Sequence, residues 1–184
     1  MPPDPDKHTV RRAAVVYSLG TSGKTIDNWL QRDQVTVPSG PTPPGSWRRF
    51  AAADIAVFAL VLKMVKFGLP VATASGFANT VLTNAAADRL PDLASAPPDS
   101  IKALGAGLRL LVWREGDEWH MRLDREHEGP PPADAHLVVH LHDVLHRAIG
   151  RAFRADAALD RLKAKSASST RKVTRRRVVW PKPD

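Results

Sequence analysis

The sequence predicts a mainly helical protein with a small amount of β-structure: a helix-turn-helix unit with a β-ribbon, then a small αβ module and a basic tail. Three observations carry this. Apolar residues recur at helical spacing on both sides of Gly20-Thr21-Ser22, as Val10, Ala13, Ala14 and Tyr17, then as Ile26, Trp29 and Leu30. A strongly apolar helix over 51–66 meets Phe67-Gly68 with Pro70 just beyond, a stop made of a C-capping glycine and a residue that cannot continue a helix. Past a proline-rich break the pattern changes to alternation of apolar and polar residues, and from about 142 it returns to helical spacing.

Residues 1–8 are polar and proline-rich, a flexible lead-in. The first helix is expected from 9, with the Gly20 turn after it. Ser22 can cap the second helix, because its hydroxyl accepts a first-turn N–H that has no partner inside the helix. From 33 to 50 the chain is rich in Pro and Gly, with β-prone segments at 35–37 and 47–50 flanking a flexible tip, which predicts a β-ribbon. The apolar helix over 51–66 and another from about 71 to 90 complete a unit spanning 9–90. The stretch "PDLASAPPDS" opens a linker over 91–103. Residues 108–114 and 118–123 alternate around "EGDE", a hairpin signal. After "GPPPAD" a strand is expected over 135–141 and a helix from about 142 to 165, with Leu145, Ala148, Ala152, Ala155, Leu159 and Leu162 on one face. These keep a seven-residue repeat for under three heptads, too short and too Ala-rich for a coiled coil. The αβ module therefore spans 104–165, with self-association as its expected role. "SASSTRKVTRRRVVWPKPD" is low in core-forming residues, so 166–184 is expected to be a basic tail, disordered until bound.

At 184 residues and 43% hydrophobic content the chain can bury a real core. Its formal charge of +8 favours a polyanionic partner. From Lys163 onward eight basic residues face Asp184 alone, so almost the whole excess sits in the tail. The absence of cysteine excludes thiolate metal sites, disulfides and Cys nucleophiles. "MPPDPDKH" has no apolar stretch after a basic start, and the longest apolar run, 55–62, is far below the roughly 20 residues of a membrane span. The expectation is a cytoplasmic, nucleoid-associated protein that meets no membrane.

One stretch admits two chemistries. "SLGTSGKT" comes within one residue of the loop that cradles nucleotide phosphates, with Ser18 where the first glycine belongs. In that reading "AAVVYS" supplies the preceding strand and "LVVHLHD" imitates a second, Asp-ended strand. The following Pro/Gly-rich ribbon and the lack of alternating strand-helix units argue against it. The same residues also read as the turn and second helix of a DNA-binding unit. Lys24, Thr25, Asn28, Gln31 and Arg32 recur at spacings of three and four, opposite Ile26, Trp29 and Leu30. Asn and Gln can bond adenine bidentately, and Lys or Arg can bond guanine or phosphate.

The order of the pieces over 9–82 resembles the MerR-type winged helix-turn-helix family, including its excisionase-like relatives. The matching pieces are "GTSGKTIDNWLQRDQV" for the turn and recognition helix, "GSWRRF" for the end of a wing, "ADI" for the opening of the next helix, and "KFGLP" for the turn to a fourth. The resemblance implies that Lys24, Thr25 and Asn28 enter the major groove and that Arg48 and Arg49 grip backbone or minor groove. Where many members have Arg-Tyr-Tyr, this chain has Asp27, Asn28 and Trp29. An acidic Asp27 facing DNA would repel phosphate, so it is expected to cap or to pair with a neighbouring cation. The long coiled coil and effector cysteines of metal-sensing relatives are missing, so metal sensing is not implied.

His136, His140, His142 and His146 form a separate cluster, but the expected change from strand to helix between them scatters any ligand set. Glu118, His120 and Asp124 would share a strand face with no nucleophile nearby in sequence. No catalytic, metal or cofactor site is expected. The expected contacts to double-stranded DNA are Ser22, Lys24, Thr25, Asn28, Gln31, Arg32, Arg48 and Arg49, with Arg175, Arg176 and Arg177 in the tail. The expected function is a sequence-specific, MerR-like transcriptional regulator acting as a homodimer, because one recognition helix reads only a few base pairs. The alternatives are an excisionase-like architectural protein, a small phosphate-loop nucleotide-binding enzyme, and an adaptor whose C-terminal module binds protein while the basic tail binds RNA.

Overall fold

The chain's first strand stands where helical spacing predicts helix: β1 (Thr9–Arg11) pairs antiparallel with β2 (Arg49–Ala51), Val10 opposite Phe50. Both of those side chains are fully buried, so the apolar residue at the centre of each short strand fixes the register. The computed structural model describes residues 8–41, 48–87, 89–125 and 136–174, with side chains of the last stretch described over 137–166. The strand expected at 35–37 does not form. Val35 and Val37 are buried, and the backbone of Thr36 finds side chains instead of a ladder: its N–H donates to Ser75 Oγ at 3.1 Å, and its carbonyl accepts from Asn79 Nδ2 at 3.0 Å. Partners supplied by a later helix thus replace the expected ribbon.

Helix α1 (Arg12–Leu19) ends at Gly20, which adopts φ +60, and α2 (Gly23–Gln31) follows after two residues. Helix α3 (Ala52–Lys66) is the centre of the molecule, buried continuously from Ala52 to Val61. It ends as expected, with the Leu69 amide returning to the Met64 carbonyl at 3.1 Å and Pro70 opening α4 (Val71–Ala86). The 91–103 stretch, expected as a linker, contributes α5 (Pro98–Leu104). Pro98 stands in the first turn, where its missing N–H costs nothing, and Ile101 and Leu104 are buried against α3 and α6. Two apolar residues three apart are enough to dock one turn, and the prolines around them hide that from a composition reading. At Gly105 a Cβ would come within 2.6 Å of the His142 backbone nitrogen, so the close approach there admits only glycine.

The expected hairpin is present as β3 (Leu108–Glu115) and β4 (Glu118–Arg125), and β5 (His136–His140) joins on the other side of β3, all antiparallel. Alternation puts Leu110, Val112 and Val139 into the core. Directly after β5 comes α6 (Leu141–Thr174), whose Leu141, Leu145, Ala148, Ile149 and Ala152 are buried. It continues past 165 into the stretch expected to be disordered. The reason is in the letters: 166–174 contains neither Gly nor Pro, so no stop signal intervenes.

Helix α6 packs along α1 and α3, and Arg11 ties β1 to it. The Arg11 N–H and Nε both donate to Asp156 Oδ1, at 3.0 and 2.8 Å, and Nη2 donates to the Asp156 carbonyl at 2.8 Å and to Asp160 Oδ1 at 2.7 Å. One cluster of buried side chains runs from Val10 through α3 to Ile149 and Ala152, so the 9–90 unit and the αβ module share a core. Among the described residues no helix is long and apolar enough to cross a membrane.

Candidate nucleic-acid interface

Ser22 caps α2 as its residue type predicts: Oγ accepts the Thr25 N–H at 3.0 Å and lies 2.8 Å from Thr25 Oγ1. Both hydroxyls therefore hold the helix start in place. The helix is amphipathic, with Ile26 and Trp29 buried and Leu30 partly so, while Lys24, Gln31 and Arg32 are exposed and Thr25 and Asn28 half-buried. At 100° per residue Lys24, Asn28 and Gln31 form the middle of the outward strip, with Arg32 and Thr25 along one edge and Asp27 at the other. The turn before it is closed by backbone bonds, Gly20 N–H to Tyr17 O and Thr21 N–H to Val16 O.

Asp27 has its cation. Arg12, at the start of α1, donates Nε to Asp27 Oδ1 at 2.8 Å and makes a second contact from Nη2 to Oδ2. The fork-on-carboxylate geometry joins the two helices across the turn and cancels the one negative charge of α2. The sequence predicts a partner for Asp27 without identifying it, because Arg12 lies a whole helix away.

Arg48 and Arg49, expected to grip DNA backbone or minor groove, each also bond to oxygens of the protein itself. Arg48 Nη2 donates to the Gly40 carbonyl at 2.9 Å, and its guanidinium lies 5.3 Å from the centre of the Phe50 ring. Its Nε is buried with no hydrogen-bond partner among the described residues. Arg49 reaches across the β1–β2 pair, Nε to Thr9 Oγ1 at 2.8 Å and Nη2 to the Thr9 carbonyl at 3.0 Å. These donors are directed at the protein's own oxygens, a use that charge in the sequence cannot foretell. Arg175, Arg176 and Arg177 lie outside the described residues.

Asp54, in the first turn of α3, does more than open the helix. It is fully buried, and its carboxylate accepts the Ser39 N–H at 3.0 Å, Ser39 Oγ at 2.7 Å and the Ala51 N–H at 2.9 Å. Burial pushes its pKa up, against the pull of these donors and of Arg48. It fastens the 38–40 turn and the end of β2 to the first turn of α3.

Among the described side chains the competing constellations are not brought together. The 13–18 stretch, which a phosphate loop needs as a strand, lies within α1, and Ser18 is buried with its hydroxyl donating to the Val15 carbonyl at 2.9 Å. Strand β5 is antiparallel to β3, not part of a parallel sheet. His142 and His146 stack with centroids 5.5 Å apart, and among the described residues no three potential ligands gather around one point. His120 stacks on Trp113 at 5.6 Å. Arg122, and secondarily Arg109, grip Asp124 and hold its pKa below the usual carboxylate range, the reverse of what a general acid needs.

No protein-family model matches this chain, and no curated protein matches it.

Proposed function

We propose that the chain binds double-stranded DNA with sequence preference, α2 entering the major groove, and that it acts as a homodimer in transcriptional control in the manner of a MerR-type winged helix-turn-helix. The observation that carries this reading is α2 itself. It is a capped helix behind a tight turn, seated by Ile26 and Trp29, with Lys24, Asn28, Gln31 and Arg32 on its outer side and its one carboxylate neutralised by Arg12. Side chains of this kind near the start of a second helix are what base-edge recognition requires. In this reading the β1–β2 pair belongs to the wing, and Arg48 and Arg49 stiffen it from within. The basic tail adds contacts to phosphate that carry no sequence information.

The test is selection of bound sites from random duplexes at low salt. The expected outcome is an enriched motif in two half-sites about one helical turn apart. Failure to enrich any duplex would sink the reading. Removing 167–184 should leave the motif intact and flatten the dependence of log K on log salt, since that segment holds six basic residues and one acid. An unchanged slope would mean that the tail touches no phosphate.

A further inference from the structure

A groove of 390 Å³ opens between α3 and α6, beside the end of α1 and along β5. Its size is that of small-molecule sites. Leu62, Leu137, Val139, Val144 and Ala148 give it an apolar lining. Four cations line it from two sides: Lys63 and Lys66, three apart on α3, and Arg147 and Arg151, four apart on α6. Each spacing puts its pair on one helix face. Against them, among the described residues, stands Asp143, 3.8 Å from Arg147. Lys63, Lys66 and Arg151 make no ion pair with any described residue.

The two lysines lie in the last turn of α3, where they also oppose the negative end of the helix dipole. That accounts for one wall. It leaves Arg151, and Arg147 beyond its 3.8 Å contact with Asp143, to be accounted for, because both stand well inside α6. Like charges facing each other over an apolar depression repel, and the arrangement is relieved by a counter-anion. A nucleic-acid backbone would answer the charge but would leave the apolar lining uncovered. An anion with an apolar body answers both.

We propose that this groove binds a small amphipathic organic anion, its acidic head held by Lys63, Lys66, Arg147 and Arg151 and its apolar body laid on Leu62, Leu137 and Val144. The arginine fork favours a planar carboxylate, and the lysines accept either carboxylate or phosphate. The site does not depend on the DNA reading.

The test is calorimetric titration of the full chain with decanoate, decyl phosphate, decanol and decyltrimethylammonium, each kept monomeric. The anions are expected to bind, and the neutral and cationic analogues to bind at least about tenfold more weakly. Whichever anionic head binds tighter names the class of ligand, and either preference upholds the site. Lys63→Glu and Arg151→Glu, both at exposed positions, should each weaken decanoate by about tenfold, while Arg161→Glu, on the same helix outside the groove, should not. Melting curves establish that the variants remain folded. Absence of decanoate binding, equal binding of decanol, or indifference to Lys63→Glu and Arg151→Glu would overturn the proposal. So would displacement of decanoate by random-sequence duplex at low salt, which would assign the cations to a nucleic-acid surface.

Discussion

Two buried aspartates of this chain answer pH in opposite directions. Asp54 is pushed above its ordinary value, chiefly by burial, so the folded state holds its proton more tightly than the unfolded chain does. The stability it contributes is full below about pH 3.8 and is lost as pH rises through the folded value. At Asp156 burial acts the same way, but the side-chain and backbone donors of Arg11 outweigh it and hold the carboxyl below its ordinary value. Its contribution is present above about pH 3.8 and is lost as pH falls through the folded value. Asp156→Asn should therefore cost about 2 kcal/mol near neutrality, the usual worth of hydrogen bonds to a charged group, with a deficit that shrinks in acid. For Asp54→Asn the deficit should be larger in acid than near neutrality. Urea unfolding of both variants at about pH 3 and about pH 7 checks the pair, and deficits that change in the same direction would contradict the assignment.

At the scale of elements, the salt link between α1 and α2 gives the proposed recognition helix a testable signature. Lys24→Ala and Asn28→Ala should each weaken specific duplex binding by about 1–3 kcal/mol without lowering the melting temperature, and only Lys24→Ala should reduce the salt slope, by about one. Arg12→Ala removes no proposed DNA contact, yet it should weaken binding by exposing the Asp27 charge to phosphate. Arg12→Ala combined with Asp27→Asn should recover most of that loss in fluorescence anisotropy. A double variant no better than the single one would mean that Arg12 acts by another route. Much of this was legible in the letters: the Ser22 cap, the apolar face of α2 and the span of α3 follow from local chemistry, and the hairpin follows from alternation around Gly116. What escaped was decided by distant partners. Strand β1 forms because Phe50 and Val10 meet, α5 docks because α3 and α6 offer it a surface, and the acceptors of Arg48 and Arg49 are backbone carbonyls and a hydroxyl with no sequence signature.

At the scale of the molecule, the proposed reading head is mounted on the C-terminal helix. Arg11 meets Asp156 and Asp160 while Ser18 and Leu19 share a groove with Ala148 and Arg151, so α6 runs antiparallel along α1 and covers α3 as well. The sequence suggested a DNA-binding unit over 9–90 that a linker separates from the rest, and such a unit should fold when produced alone. The shared core argues otherwise. Leu141, Leu145 and Ile149 are fully buried on α6, and Ile101 and Leu104 on α5. At about 1.5–3 kcal/mol for each buried large side chain, these five alone match the whole stability of an ordinary domain, about 5–15 kcal/mol. A fragment of residues 1–97 should therefore lack a cooperative thermal transition and bind duplex only without sequence preference, whereas a fragment of residues 1–166 should melt like the full chain. Circular dichroism melts and duplex titrations of the two fragments check this. A cooperative transition in 1–97 would mean that α6 rests on a domain already complete.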